Sequence, residues 1–426
     1  MDLNFEILRL GECHIPSPMK GVRFVDDARR VLYHDDIREI RKCEADSKEP
    51  PAMEVAGPRE RIYFDPSKLK CGIVTCGGLC PGLNDVIRAI VLSLHHHYGV
   101  RTVFGFRFGY EGLAPKCGHT PLELTPQSVR RIHETGGTIL GSSRGPQDVA
   151  EMVDTLERMN VGMLFTVGGD GTLRGAQAIV EEIERRHLKI AVVGIPKTID
   201  NDISFVQKSF GFETAGSEAR RVTYLAHTEA EGARNGIGLV KLMGRESGFI
   251  AAYAVLAGTE VNFCLIPEVP FTLDGFFSAL RARLEKRGHG VVVVAEGAGQ
   301  DLLQATGEKD ASGNLRYGDI GVFLRDQMKS YFSRIGMEIN LKYIDPSYTI
   351  RSLPASADDS AYCQMLGHNA VHAGMSGRTD LVVSFWGSEF THVPISLAVS
   401  ARKKIDPDGS LWSSVVASTG QPREMI

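Results

Sequence analysis

Two short segments carry the residue types that phosphoryl transfer requires. Gly168-Gly169-Asp170-Gly171-Thr172 follows an apolar run, Val161 to Val167, and opens a helical pattern from about Leu173 to Arg186. Glycines there let backbone amides approach an anion, and the helix N-terminus directs partial positive charge at it. One strand later, the apolar run Ile190 to Ile195 ends in Pro196-Lys197-Thr198-Ile199-Asp200-Asn201-Asp202, with two carboxylates and an amide in succession. The pair reads as a phosphate cradle beside a cluster able to hold Mg²⁺ and accept a proton. Taken singly, each is also compatible with ordinary turn chemistry. Position adds weight, because two further loops fall at strand ends. Cys76-Gly77-Gly78-Leu79-Cys80-Pro81-Gly82-Leu83-Asn84 follows strand Cys71 to Thr75, and Met243-Gly244-Arg245-Glu246-Ser247-Gly248 follows strand Ile237 to Leu242. In open α/β sheets, ligands bind outside the carboxyl ends of strands.

These loops need a scaffold of strands and helices in alternation. The chain has 426 residues, 43% of them hydrophobic, enough for two cores. Strand and helix patterns alternate almost throughout, which predicts an α/β fold of two parallel-sheet units covered on both faces. Strands are expected near 71–76, 102–107, 162–167 and 190–195, then at 237–242, 263–267, 291–295 and 340–344. Residues 1–69 differ: Pro16, Pro18, Pro50, Pro51, Pro58 and Pro66 break any long element, and one short exposed helix is expected within Asp26 to Arg41. A net charge of −4 without a basic stripe argues against a nucleic-acid partner, so acidic substrates must be held by local arginines and lysines. No run of about 18 apolar residues suggests a membrane span. Eight cysteines are too sparse for a disulfide scaffold, and Cys71, Cys76 and Cys80 read as buried thiols. A cytoplasmic protein is expected. His95-His96-His97 points in three directions on a helix and reads as a helix end.

From about Lys70 to about Gly387 the chain resembles the 6-phosphofructokinase family. The resemblance rests on the ordered set just quoted, joined by Gly136-Gly137-Thr138-Ile139-Leu140-Gly141-Ser142-Ser143-Arg144 and by Ala295-Glu296-Gly297. It implies two Rossmann-like domains with the active site in the cleft between them, preceded by an N-terminal extension at 1–69. Residues 70–211, joined by about 353–400, would form the phosphoryl-donor domain. Residues 212–352, joined by about 401–426, would bind the sugar phosphate. The implied reaction moves a phosphoryl group from Mg-ATP to the 1-hydroxyl of fructose 6-phosphate, in glycolysis.

The same resemblance assigns roles. Asp200 is the expected general base, with Arg245 and Thr198 completing the catalytic set. Asp170 and Asp202 would position Mg²⁺, directly or through water. The donor would meet Gly78, Tyr110, Arg144, Gly169, Asp170, Gly171, Thr172, Gly175 and Lys197. The sugar phosphate would meet Thr198, Asp200, Asp202, Met243, Gly244, Arg245, Glu296, Lys342, Tyr348 and Arg351. The sequence departs from the commonest bacterial pattern at Tyr348, where histidine is usual, and at Lys342, where arginine is usual. Gly236 stands where the family supplies an arginine from a neighbouring subunit. A homodimer or homotetramer is implied.

The donor is read from two positions. Pyrophosphate users of the family usually carry Asp at the fourth position of GGDGT and Lys at the second of the PKTIDND segment, whereas common bacterial ATP users have Gly at both. This chain combines Gly171 with Lys197. An aspartate at 171 would stand about 4 Å from a nucleotide phosphate, a repulsion of roughly 4 kcal/mol at an effective dielectric of about 20, or about a thousandfold in binding. Its absence favours ATP. A reversible pyrophosphate-dependent enzyme is the alternative, and a non-catalytic regulatory subunit is a further one.

Overall fold

The computed structural model describes residues 3–303 and 316–426. By its internal contacts the chain divides into two compact units. The first comprises Met1–Thr198, Ile203–Gly211 and Pro354–Ala401; the second comprises Ile199–Asp202, Phe212–Leu353 and Arg402–Ile426. The chain thus passes between units within the Pro196–Asp202 loop.

The first unit is built on a nine-stranded sheet. Its centre is parallel: Leu381–Trp386, Ala191–Pro196, Met163–Gly168, Lys70–Thr75 and Thr102–Phe106 lie side by side in that order. Met163–Gly168 and Ala191–Pro196 are buried at every residue, as expected of continuous apolar runs covered on both faces. The edges are antiparallel, which the parallel expectation did not include. Leu381–Trp386 turns back into Glu389–Pro394 through Gly387 and Ser388, both at positive φ, the conformation a two-residue hairpin turn demands.

Ala52–Val55 pairs with that returning strand and Arg30–Leu32 pairs with Ala52–Val55. The helix expected within 26–41 instead spans Ile37–Ala45, because Asp36 caps it by accepting from the amide of Arg38. The strands from the first 69 residues are tied down by buried charge. The Glu54 carboxylate, 3% exposed, accepts from Arg59 Nη2 and shares a hydrogen bond with His392 Nδ1, both at 3.1 Å. The Arg378 guanidinium donates to the same oxygen of Glu54 and reaches Asp27 at 2.7 Å.

The second unit has a four-stranded, wholly parallel sheet in the order Phe263–Leu265, His289–Ala295, Gly236–Leu242, Asn340–Ile344. Helices Leu273–Arg287 and Ile320–Arg334 contribute Phe276, Phe277, Leu280, Leu324 and Met328 to one core with Ile237 and Leu239 of the central strand. The long helix Phe212–Glu231 packs on that strand so closely that a Cβ at Gly236 would come within 2.0 Å of the Ala230 carbonyl oxygen.

The first unit buries His372 and His392 and half-buries His368. Burial lowers all three, His368 and His392 to about 4 and His372 to about 3. A histidine held neutral in the fold but protonated in the unfolded chain withdraws stability as pH falls below its ordinary value, by up to about 1.4 kcal/mol per pH unit for each group. Thermal unfolding should therefore shift to lower temperature between pH 7 and pH 5. A Tm unchanged over that range in scanning calorimetry would show that these rings are protonated in the fold.

Candidate active site

In the first unit, parallel pairing brings four loops to the carboxyl end of the sheet. Lys197 N donates to the Gly168 carbonyl at 3.0 Å and Cys76 N to the Val167 carbonyl at 2.9 Å, so the glycine-rich turns extend the ladder. Lys197 is buried, and its ammonium donates to the Gly78 carbonyl at 2.7 Å. Gly77 N meets the Ser143 carbonyl at 3.0 Å, and the Ser142 hydroxyl donates to the Gly77 carbonyl at 2.6 Å. The segment ending in Arg144 is thereby fixed beside Gly78, with the Arg144 side chain exposed.

Helix Asp170–Arg185 starts directly after Gly169. Its first turn is held by Tyr110, whose hydroxyl donates to the Thr172 carbonyl at 2.6 Å. The ring lies where only a glycine leaves room: a Cβ at Gly175 would come within 2.6 Å of it. Tyr110 is buried, and burial pushes its phenol well up, so it stays neutral. Gly171 is exposed, and a Cβ there would meet nothing within 4 Å. Asp170 is partly exposed and takes Arg174 Nε on one oxygen at 3.1 Å. Thr198 closes this half, its carbonyl accepting from Ser209 Oγ at 2.7 Å.

In the second unit, Ser247 links the remaining loops. Its hydroxyl, fully buried, donates to the Asp200 carbonyl at 3.2 Å and so ties the aspartate loop to the loop that carries Arg245. Asn201 adopts φ +52°, a left-handed conformation that asparagine tolerates better than most residues. Asp202 is buried; its Oδ2 accepts from Arg402 Nη1 at 2.8 Å and its carbonyl from Lys403 N, also at 2.8 Å. The Lys403 ammonium lies over the Phe249 ring, 5.2 Å from its centroid. Burial lowers its pKa to about 8, against the opposing charge of Asp202.

Met243 and Gly244 come directly after the central strand, and Gly297 N donates to the Gly244 carbonyl at 3.0 Å. A Cβ at Gly297 would overlap the Arg245 carbonyl at 1.8 Å, which explains the glycine after Glu296. The Arg245 guanidinium stacks on Tyr317 at 4.8 Å, and the Tyr317 hydroxyl donates to Glu246 at 2.8 Å. Glu296 is pushed up by burial and drawn back by the charges of Arg245, Lys241 and Arg351, which places these groups in one electrostatic field. Arg351 stacks on Tyr348 at 4.8 Å, and that ring is 75% exposed.

Lys342 is paired in register with Gly238, whose missing Cβ faces helix Phe212–Glu231. It therefore projects from the opposite sheet face to Lys241, which shares the face of Ile237 and Leu239 at two-residue spacing. At Gly236 the clash with Ala230 leaves no space for an arginine side chain, so any phosphate clamp here must use other cations. Sequence reasoning missed Arg402, Lys403, Tyr317 and Lys241. Only Lys241 left a signal, as a charged residue in an otherwise buried strand.

Residues 70–374 match the phosphofructokinase family. The chain is 50% identical over 441 residues to the ATP-dependent 6-phosphofructokinase of Borreliella burgdorferi, covering 100% of this chain and 98% of that protein. It is 48% identical to the Amycolatopsis methanolica protein of the same name, with 100% and 97% covered, and 50% identical to that of Trypanosoma cruzi, with 97% and 87% covered. A solved pyrophosphate-dependent phosphofructokinase from Marinobacter aquaeolei superposes with a TM-score of 0.67 at 20% identity, over 79% of this chain and 86% of that one. At that identity the likeness speaks for the fold and not for the donor. The chain belongs to the phosphofructokinase family.

Arg402→Met leaves the Asp202 carboxylate without the guanidinium counter-charge in a buried setting. The loop carrying Asp200 should shift, and a misplacement that adds about 1.4 kcal/mol to the barrier is tenfold in rate. We expect kcat to fall by about tenfold, measured in steady state. An unchanged kcat would show that the pair does not set the loop.

Proposed function

We propose that this protein is an ATP-dependent 6-phosphofructokinase that phosphorylates the 1-hydroxyl of fructose 6-phosphate and releases ADP. The observation that carries the reading is the Ser247–Asp200 contact, which binds a candidate base to a candidate phosphoryl-stabilising arginine within one unit. Full-length relatives bearing that activity in their names support it.

In this reading the first turn of helix Asp170–Arg185 receives the donor phosphates through backbone amides and the helix dipole. Lys197 and Arg144 add positive charge, and Gly78, Gly169, Thr172 and Gly175 shape the cradle. Open space around Gly171 leaves the nucleotide its route. Met243, Gly244, Glu296, Lys342, Tyr348 and Arg351 are assigned to the sugar phosphate. Asp200 accepts the proton of the 1-hydroxyl as its oxygen bonds to the γ-phosphorus and the bond to the β–γ bridging oxygen breaks. Thr198 is assigned to the sugar and the transferred phosphate, and Asp202 to Mg²⁺, directly or through water. Arg245 meets charge on the equatorial oxygens, the dominant contribution in such transfers.

The residues fit Mg²⁺. Asp170 in the first unit and Asp202 in the second each offer hard carboxylate oxygens of the kind Mg²⁺ takes. That is the donor set of an ion completed by substrate phosphates and water. An ion held there would supply positive charge to the donor phosphates.

The eight cysteines are free thiols, which suits a reducing compartment, and we assign the protein to the cytoplasm. No helix among the described residues is long and apolar enough to cross a membrane. Tyr224, Leu225 and Tyr253 are large apolar side chains exposed on two helices of the second unit, a surface suited to a second copy in a homodimer or homotetramer.

Two substitutions test the roles. Asp200→Ala should lower kcat by about 10²–10⁴ with little change in sugar affinity; an unchanged kcat removes Asp200 as base. Gly171→Asp meets no steric obstacle, so its effect is electrostatic, and ATP affinity should fall by about a thousandfold. Unaltered ATP kinetics in that variant would show that residue 171 does not face the nucleotide.

A further inference from the structure

Lys241 is the one charged residue of strand Gly236–Leu242, and it stands on the face that carries Ile237 and Leu239 into the core. Its side chain is 12% exposed. The ammonium donates to Asp319 Oδ2 at 3.0 Å and pairs with Asp345 Oδ2 at 2.8 Å, two carboxylates from separate segments. Each carboxylate organises the stretch of chain next to it. Asp319 caps helix Ile320–Arg334 by accepting from Val322 N at 3.1 Å, and lies two residues beyond Tyr317, the ring under Arg245. Asp345 accepts from the amide and hydroxyl of Ser347, which starts the turn that delivers Tyr348 and Arg351. Burial works against a charge on Lys241, yet the bonds to Asp345 and Asp319 raise its pKa and keep it protonated.

We infer that Lys241 is a positioning residue for the sugar phosphate: one ammonium locks the Tyr317 and Tyr348–Arg351 segments into the arrangement that holds the anion. The inference rests on the proposed function and adds a determinant that touches no substrate. A compact ammonium with three donors can satisfy both carboxylates together. Without it, two like charges face each other and the segments separate, so the loss appears mainly in sugar-phosphate affinity.

The test uses Lys241→Met and Asp345→Asn in the full chain, with the second variant, at a partly exposed site, standing in if the first does not fold. Lys241→Met should raise the KM for fructose 6-phosphate by roughly fivefold or more while the KM for ATP moves by less than about twofold. Asp345→Asn should raise the sugar-phosphate KM in the same direction, by less. Ligand-free hydrogen–deuterium exchange should quicken over 345–353 in both variants. Exchange at the wild-type rate there, or KM values for the two substrates that rise by the same factor, overturns the inference. If the wild-type protein phosphorylates no fructose 6-phosphate, the functional reading has failed and the exchange data alone decide the role of Lys241.

Discussion

Parallel strand pairing is the constraint on which both half-sites depend. Strands Met163–Gly168 and Ala191–Pro196 run in register over their full length, so their carboxyl ends coincide and the two motif-bearing loops emerge together. Lys70–Thr75 and Thr102–Phe106 end at the same side and add the Gly78 and Tyr110 loops. In the second unit Gly236–Leu242 and His289–Ala295 pair in the same way and deliver Arg245 and Glu296 side by side. No single contact builds either half-site. Direction and register do, and the glycines at 168, 175, 244 and 297 allow the backbone and rings to close where a Cβ would collide.

Much of this was legible in the sequence. Short, continuously apolar runs rich in β-branched residues, each ended by a glycine turn, announce an α/β sheet, because their length and the flanking glycines mark buried strands rather than buried helices. The antiparallel edges were less visible. Arg30–Leu32 and Leu122–Glu123 are two or three residues long, and Ala52–Val55 lies among prolines, so local pattern carries almost nothing. Their placement depends on partners remote in the chain, as with Glu54 and the buried Arg378 and His392.

The site divides along the same line. Residues inside motifs could be named because their spacing is itself the signal. Arg402 binds Asp202 across 200 residues and Lys241 binds Asp319 across 78, separations at which sequence holds no local trace of a pair. Lys241 and Lys342 illustrate the point: both are lysines on neighbouring strands, and only the sheet register shows that they leave by opposite faces. The electrostatic field around Glu296 is therefore a product of tertiary structure.

ATP is the donor from which this scaffold is proposed to phosphorylate a sugar phosphate. The direct measurement is the initial rate of fructose 1,6-bisphosphate formation from fructose 6-phosphate and Mg²⁺, with ATP and pyrophosphate supplied as donor in separate reactions. Turnover with ATP and none with pyrophosphate is the predicted result. Turnover with pyrophosphate alone would contradict it, and would mean that the buried Lys197, rather than the open space at Gly171, selects the donor.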